Sequence, residues 1–238
     1  MKAANDTSRI IDQNIAFYDG IANDYDRMME LEEFNRPVRE KVAEKFRAVV
    51  PGGRILDFGG GTGQDLAWLS DNGYKIFFCE PAAGMMDQAV RLAGSSLSER
   101  EIFFLEGMRA DFRTWNDQLP FSFKVDALLS NFAAINCIPD LRALFASWSL
   151  VLRPGGQVIL LMLEGQPAGN LYRRVTRRVL SFFSGNAVHM SLGYKNYRQT
   201  VYVHSEGSVR KAASDWFEFC SSKSLPGSGF TLLHLVRK

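Results

Sequence analysis

The stretch Arg54-Ile-Leu-Asp57-Phe-Gly59-Gly60-Gly61-Thr62-Gly63-Gln64-Asp65 joins a short apolar run to four glycines and two carboxylates. A loop without Cβ atoms takes positive φ at little cost and lets a ligand lie against the main chain, while a helix beginning just after it offers free N–H groups. A tight strand-to-helix turn alone explains one or two glycines, not four. The dinucleotide fingerprint G-x-G-x-x-G uses its third glycine for close helix packing beside a pyrophosphate. Here Gly59, Gly61 and Gly63 alternate, and position 64 is glutamine. Asp57, two residues ahead of the loop, would repel a pyrophosphate and welcome a cation. No G-K-[ST] follows, which excludes a P-loop.

S-adenosylmethionine has an ammonium and a sulfonium but no phosphate, and it fits these demands. LDFGGGTGQ resembles the first motif of class I S-adenosylmethionine-dependent methyltransferases acting on small molecules. The resemblance runs from about Arg54 to Arg237 and is specific for fold and cofactor rather than for acceptor. It implies Asp57 near the methionyl ammonium, with Gly59, Gly60, Gly61, Thr62 and Gly63 along the methionyl and ribose portions. Glu80, in FFCEPAAGMM, stands about 20 residues past the loop, where an acid at a strand end can accept both ribose hydroxyls. Pro81 follows it, and Met85, in preference to Met86, is placed on the adenine. FLEGMRADF matches the region where the family puts an acid near the adenine amino group, giving Asp111 and its neighbour Phe112, with Glu106 or the Met108 backbone as alternatives. Asn131 and Phe132, closing VDALLSNF, are placed against the methyl group and the acceptor. AFYDGIANDYDRM resembles a segment that folds over the cofactor, making Tyr25, and after it Tyr18, candidates to close the site. The patterns of enzymes that methylate adenine, glutamine or cytosine C5 are missing after Ser130.

The expected reaction is methyl transfer to an O, C or N atom of a small metabolite by in-line displacement. An acceptor hydroxyl or acidic carbon would need a base, and His189 and His204 are the imidazoles available. His234, in the last apolar run, reads as core, and no metal-ligand spacing is visible, so a metal-independent reaction is expected. GNLYRRVTRRVLSFFSG sets Leu171, Val175, Val179 and Phe182 on one helical face and Arg173, Arg174, Arg177 and Arg178 largely on the other. Those arginines suit an anionic or amphipathic acceptor or an anionic membrane surface; an ordinary solvated face is the alternative. Two competing functions are a nicotinamide oxidoreductase, disfavoured by Gln64 and Asp57, and a non-catalytic module, disfavoured by the intact loop and acids.

These residues need a scaffold, and the rest of the chain supplies one. RILDF, KIFFCE, EIFFLEG, KVDALLSNF and QVILLML are apolar runs that suit strands covered on both faces, alternating with helical segments such as QDLAWLSDNG and DLRALFASWSLVLRPGG. That order predicts an α/β fold: a Rossmann-like, seven-stranded, mostly parallel sheet with helices on both faces. Pro226-Gly-Ser-Gly229 between two apolar runs predicts a C-terminal antiparallel β-hairpin, and SEGSVRKAASD a short helix opened by Ser205 or Ser208. The chain reads as one domain: a helical cap over 1–50, a cofactor-binding core over 51–163, a substrate lid over 164–204, and a closing helix and hairpin over 205–238. Its 238 residues, 46% hydrophobic and 23% charged, are those of a globular protein. A formal charge of +2 is too mild to call for nucleic acid. Three scattered cysteines, no leader pattern and no apolar run near the roughly 20 residues of a membrane span point to a cytoplasmic protein.

Overall fold

The computed structural model describes residues 2–96, 101–163, 183, 184, 187–194 and 196–238. Five strands, β1 (Arg54–Phe58), β2 (Lys75–Cys79), β3 (Ile102–Phe104), β4 (Val125–Ser130) and β5 (Leu152–Leu163), pair in parallel in the order β3-β2-β1-β4-β5. A three-stranded antiparallel sheet follows in the chain: β6 (Phe183–Ser184), β7 (Ala187–Tyr194) and β8 (Tyr197–Val203). The hairpin of β9 (Phe217–Leu225) and β10 (Phe230–Arg237) completes the main sheet, with β10 antiparallel to both β5 and β9. This is the seven-stranded, mostly parallel arrangement the sequence predicts.

Side chains alternate across a strand, so each apolar run feeds two cores. Leu56, Phe58, Phe77, Leu128, Val158 and Leu160 enter one, which is built on Trp115, Phe145 and Trp148. Ile55, Ile76, Phe78, Ala127, Leu129, Ile159 and Leu161 enter the other, with Val42, Phe46, Leu66 and Leu69. The helices divide accordingly. Residues of α2 (Asn35–Val49), α3 (Leu66–Asp71) and α4 (Ala83–Ser96) pack in the second core, and those of α5 (Leu141–Val151) and α6 (Glu206–Ala213) in the first. Ser205 is the N-cap of α6, its hydroxyl accepting from the Ser208 amide at 3.1 Å, so the first of the two expected openings is the one used.

The N-terminal helical region is two helices, α1 (Lys2–Glu30) and α2, broken between them at residues 31–34. α1 is tied both to α4 and to β8. Asp19 accepts from the Gly84 amide at 2.6 Å, and Gln88 donates to Asn23 at 2.8 Å. Asn14 donates to the carbonyls of Cys137 and Thr200 and accepts from the Thr200 amide. β5 begins earlier than the sequence suggests: it continues from α5 through Pro154-Gly155-Gly156, and an irregular register between Val125 and Ala127 absorbs the extra residues. The arginine helix expected over 171–182 lies outside the described residues.

Candidate active site

The glycine turn is built at the end of β1. The amides of Gly59 and Gly60 donate to the Cys79 carbonyl at 2.8 and 3.3 Å, which locks the turn onto β2. A Cβ at Gly60 would collide with the Phe78 ring, and one at Gly63 would press on Ala89. Gly61 differs: its φ is +60° and nothing stands where a Cβ would point, so here the main chain is open to a ligand. Its amide donates to Glu80 Oε2 at 3.0 Å, while the Ala82 amide donates to Oε1 at 2.9 Å. Glu80 is thus clamped at the end of β2 by two backbone donors. Burial outweighs those donors and pushes its pKa up to about 7.

Asp57 is 1% exposed, and neither carboxylate oxygen has a hydrogen-bond partner. Its pKa is raised well above the ordinary carboxylate range by burial first and then by the negative fields of Asp65 and Glu80, against an opposing pull from Arg39. Asp65 is by contrast fully engaged. Its Oδ1 accepts from Arg39 at 2.6 Å and from the Trp68 indole at 2.7 Å, and its Oδ2 accepts from Asn131 at 3.0 Å. Arg39 also stacks 4.4 Å from the centre of the Phe132 ring. Phe132 and Ala133 hold φ of 44° and 64°, a left-handed kink where β4 leaves the sheet. Non-glycine residues pay strain there, and such strain concentrates at functional sites.

These groups surround a cleft of about 1000 Å³, its open mouth included. Of the residues predicted to bind cofactor, Tyr25, Gly59, Gly60, Gly61, Thr62, Glu80, Pro81, Met85, Asp111, Phe112, Asn131 and Phe132 all line it. Asp57 and Gly63 do not reach its wall; they lie in the turn's support. Met85 faces the cleft while Met86 packs in the second core, and Glu106 is exposed and off the wall. The Asp111 carboxylate is already gripped by the Arg113 guanidinium at 2.6–3.0 Å. Tyr18 lines the cleft beside Tyr25, their rings 6.1 Å apart, and burial raises the Tyr25 hydroxyl above its usual pKa.

The two histidines proposed as bases are not brought to the cleft together. His204 is 3% exposed, its Nε2 bonded to the Ile138 carbonyl at 3.1 Å and its ring stacked on Tyr202, and it is absent from the wall. His189 pairs with Tyr202 in the β7–β8 ladder; its side chain lies outside the described part of the structure. Sequence reasoning missed Arg39, Asp65, Asn14, Cys79 and Cys137 on the wall. Asp65 carried a signal, since it closes the glycine stretch. Arg39 carried none: nothing in NRPVREKVAEKFR separates it from Arg36 or Lys41.

A second cavity adjoins the first and shares Tyr18, Tyr25, Phe132 and Cys137 with it. Gln199 donates to the Tyr18 hydroxyl at 2.7 Å and to Cys137 Sγ at 3.3 Å along this partition. Among the described residues no group of His, Cys, Asp and Glu is arranged to hold a metal ion, and no helix is long and apolar enough to cross a membrane.

Residues 55–156, the span that contains the turn and both acidic strand ends, match the family model described as a methyltransferase domain. Over that span, which is less than half of the chain, the core is similar to a methyltransferase domain. A tRNA 5-carboxymethoxyuridine methyltransferase of Escherichia coli (strain K12) is 27% identical over 124 residues, which span 49% of this chain and 45% of that protein. The match therefore covers less than half of the curated relative. An S-adenosylmethionine-dependent methyltransferase from Clostridium acetobutylicum superposes with a TM-score of 0.65 at 14% identity, over 92% of this chain and 98% of that one. The glycopeptide N-methyltransferase MtfA complexed with S-adenosylhomocysteine gives a TM-score of 0.61 at 14% identity, over 84% and 90%. At such identities these likenesses are of fold. The shared fold runs beyond residues 55–156 over most of the chain.

Proposed function

We propose that this protein is an S-adenosylmethionine-dependent methyltransferase transferring a methyl group to an O, C or N atom of a small-molecule metabolite by in-line displacement. The observation that carries the reading is the pairing of an open glycine main chain with uncompensated acid. Gly61 exposes its backbone to the cleft, while Asp57 buries two unpartnered carboxylate oxygens beside Asp65 and Glu80. Orphaned buried acceptors are costly. A ligand bearing an ammonium and a sulfonium in the cleft offsets the negative field of these acids; a pyrophosphate adds to it. The structural neighbour MtfA, complexed with S-adenosylhomocysteine, is in keeping with this.

S-adenosylmethionine, when bound, supplies an electrophilic methyl whose departure leaves a neutral thioether. The chain's own residues then bind, orient and exclude water. Glu80 retains lone pairs for the ribose hydroxyls beyond those used on Gly61 and Ala82. Met85 and Phe112 supply apolar surface for the adenine. Asp65 and Arg39, the latter the one cation on the described wall, meet the zwitterionic methionyl end, and Asp57 acts on it from behind the turn through its field. Tyr18 and Tyr25 on α1 cover the cleft, and alignment of reactants in such a dry site is worth roughly 7–11 kcal/mol in favourable cases. In this reading the reaction is metal-independent, and the N-terminal helices, core, lid and closing hairpin act as one cytoplasmic unit.

Calorimetric titration of the wild-type protein with S-adenosylhomocysteine, with NADH as control, tests this. Saturable binding of the adenosyl compound alone is expected; binding of NADH instead overturns the reading.

A further inference from the structure

The second cavity is a chamber of about 810 Å³ with its mouth, enclosed by α1, α2, the kink after β4, and residues of β5, β8 and β10. Its surface is mostly apolar, and its aromatic rings are organised: Phe230 meets Phe132 edge-on at 5.7 Å and Phe34 at a 53° tilt at 6.3 Å. Two of its three side-chain amides are committed to the fold. Asn136 bonds the Leu163 amide and the carbonyls of Leu163 and Tyr202, and Asn35 bonds the Met29 carbonyl. The third, Gln199, uses its NH2 on Tyr18 and Cys137. No lysine, arginine or histidine is among the described lining residues, and the one Asp or Glu among them is Glu32, whose charge adds to the case against an anion.

From this wall we infer that the chamber is the methyl-acceptor site and that it takes an uncharged, flat, largely apolar molecule rather than an anionic one. Moving a carboxylate or phosphate into such a cavity strips its water and returns no cation. A flat ring system gains contact with Phe132, Phe230 and Phe34 at the edge-to-face spacings that aromatic groups prefer. The shared partition places such a ligand beside the cofactor cleft, with Phe132 between the two spaces. The sequence-based expectation of an anionic acceptor rested on arginines 173–178, which lie outside the described residues.

The word "acceptor" rests on the methyltransferase reading; the ligand class does not, and the experiment separates the two. Two probes share one skeleton: uncharged N-phenyl-1-naphthylamine and its sulfonated counterpart 8-anilino-1-naphthalenesulfonate. Fluorescence titration of the full chain, with and without S-adenosylhomocysteine, is expected to show the uncharged probe binding at least tenfold more tightly. Val201→Trp, filling the chamber from β8, is expected to weaken that probe at least tenfold while leaving S-adenosylhomocysteine affinity within about twofold. Met28→Trp fills it from α1 and serves if the first variant does not fold. Equal affinity for the two probes, or an uncharged probe indifferent to both substitutions, overturns the inference. Failure of S-adenosylhomocysteine to bind, with probe discrimination intact, overturns only the methyltransferase reading.

Discussion

At the scale of single residues, Glu80 on the cleft wall and Asp57 behind it have raised pKa values, and the sign of that shift has consequences. Glu80 is pushed from 4.5 to about 7, so the folded, ligand-free protein binds a proton that the unfolded chain releases. The resulting stability is complete below pH 4.5 and is lost as the pH rises through about 7. The melting temperature of the ligand-free protein should therefore fall across that window, and Glu80→Gln should flatten the fall. Ribose hydroxyls need the ionised form, so S-adenosylhomocysteine affinity should weaken below pH 7 by up to about tenfold per unit, with proton release seen in buffers of differing ionisation enthalpy. Asp57→Asn replaces a buried carboxyl whose ionisation the ligand-free fold disfavours, and so removes the free energy that its burial costs near neutral pH. It should raise the melting temperature of the ligand-free protein yet weaken S-adenosylhomocysteine binding more than tenfold, a trade of stability against function; lower stability with unchanged affinity would sink the role given to Asp57. Local spacing made both acids readable, because each ends a strand at a fixed distance from the glycines. Arg39 was not readable: it meets Asp65 only because α2 folds against the second core, a long-range event without a local pattern.

At the scale of elements, α1 acts as a strap whose attachments are polar. Asn14 is 3% exposed and spends both ends of its amide on β8 and the Cys137 carbonyl. Asn14→Ala should cost about 1–3 kcal/mol in denaturant unfolding, since it leaves buried backbone groups unpaired. Loosening the strap should also weaken S-adenosylhomocysteine, as Ile11, Asn14, Ile15, Tyr18 and Tyr25 form one side of the cleft. A destabilised variant with wild-type affinity would show that α1 covers the site without shaping it. Most elements were legible in the sequence because apolar runs and glycine stops are local signals. Pro226-Gly-Ser-Gly229 marked the β9–β10 turn correctly. What the sequence obscured was set by pairing: β5 runs through Pro154-Gly155-Gly156, which read as a stop, because β4 offers Val125 as a partner for Leu152.

At the scale of the whole molecule, ligand space gathers where parallel strands end and α1 crosses, the usual place for a site in an open α/β sheet. The order of the strands, with β10 between β5 and β9, follows from non-local pairing and could be anticipated only through the family resemblance. Net charge, however, is a property of the full chain and bears on the acceptor. The E. coli relative is named for tRNA, yet this chain balances 28 basic residues against 26 acidic ones. Basic side chains on its described surface are interleaved with acids, as in Arg36–Glu40, Lys41–Glu44, Lys75–Glu101 and Arg210–Glu206. Gripping an RNA requires releasing counterions from many phosphates, with a slope of about −0.7 in log K against log salt for each one on a single strand. A surface of paired charges should engage few of them. The slope for total tRNA is expected to be shallower than about −2, that is, fewer than about three phosphates, and label from methyl-tritiated S-adenosylmethionine should stay out of the tRNA fraction. A steeper slope accompanied by labelled tRNA would move the acceptor from the small-molecule class to nucleic acid, and would point to the arginines of 173–178 as its cationic face.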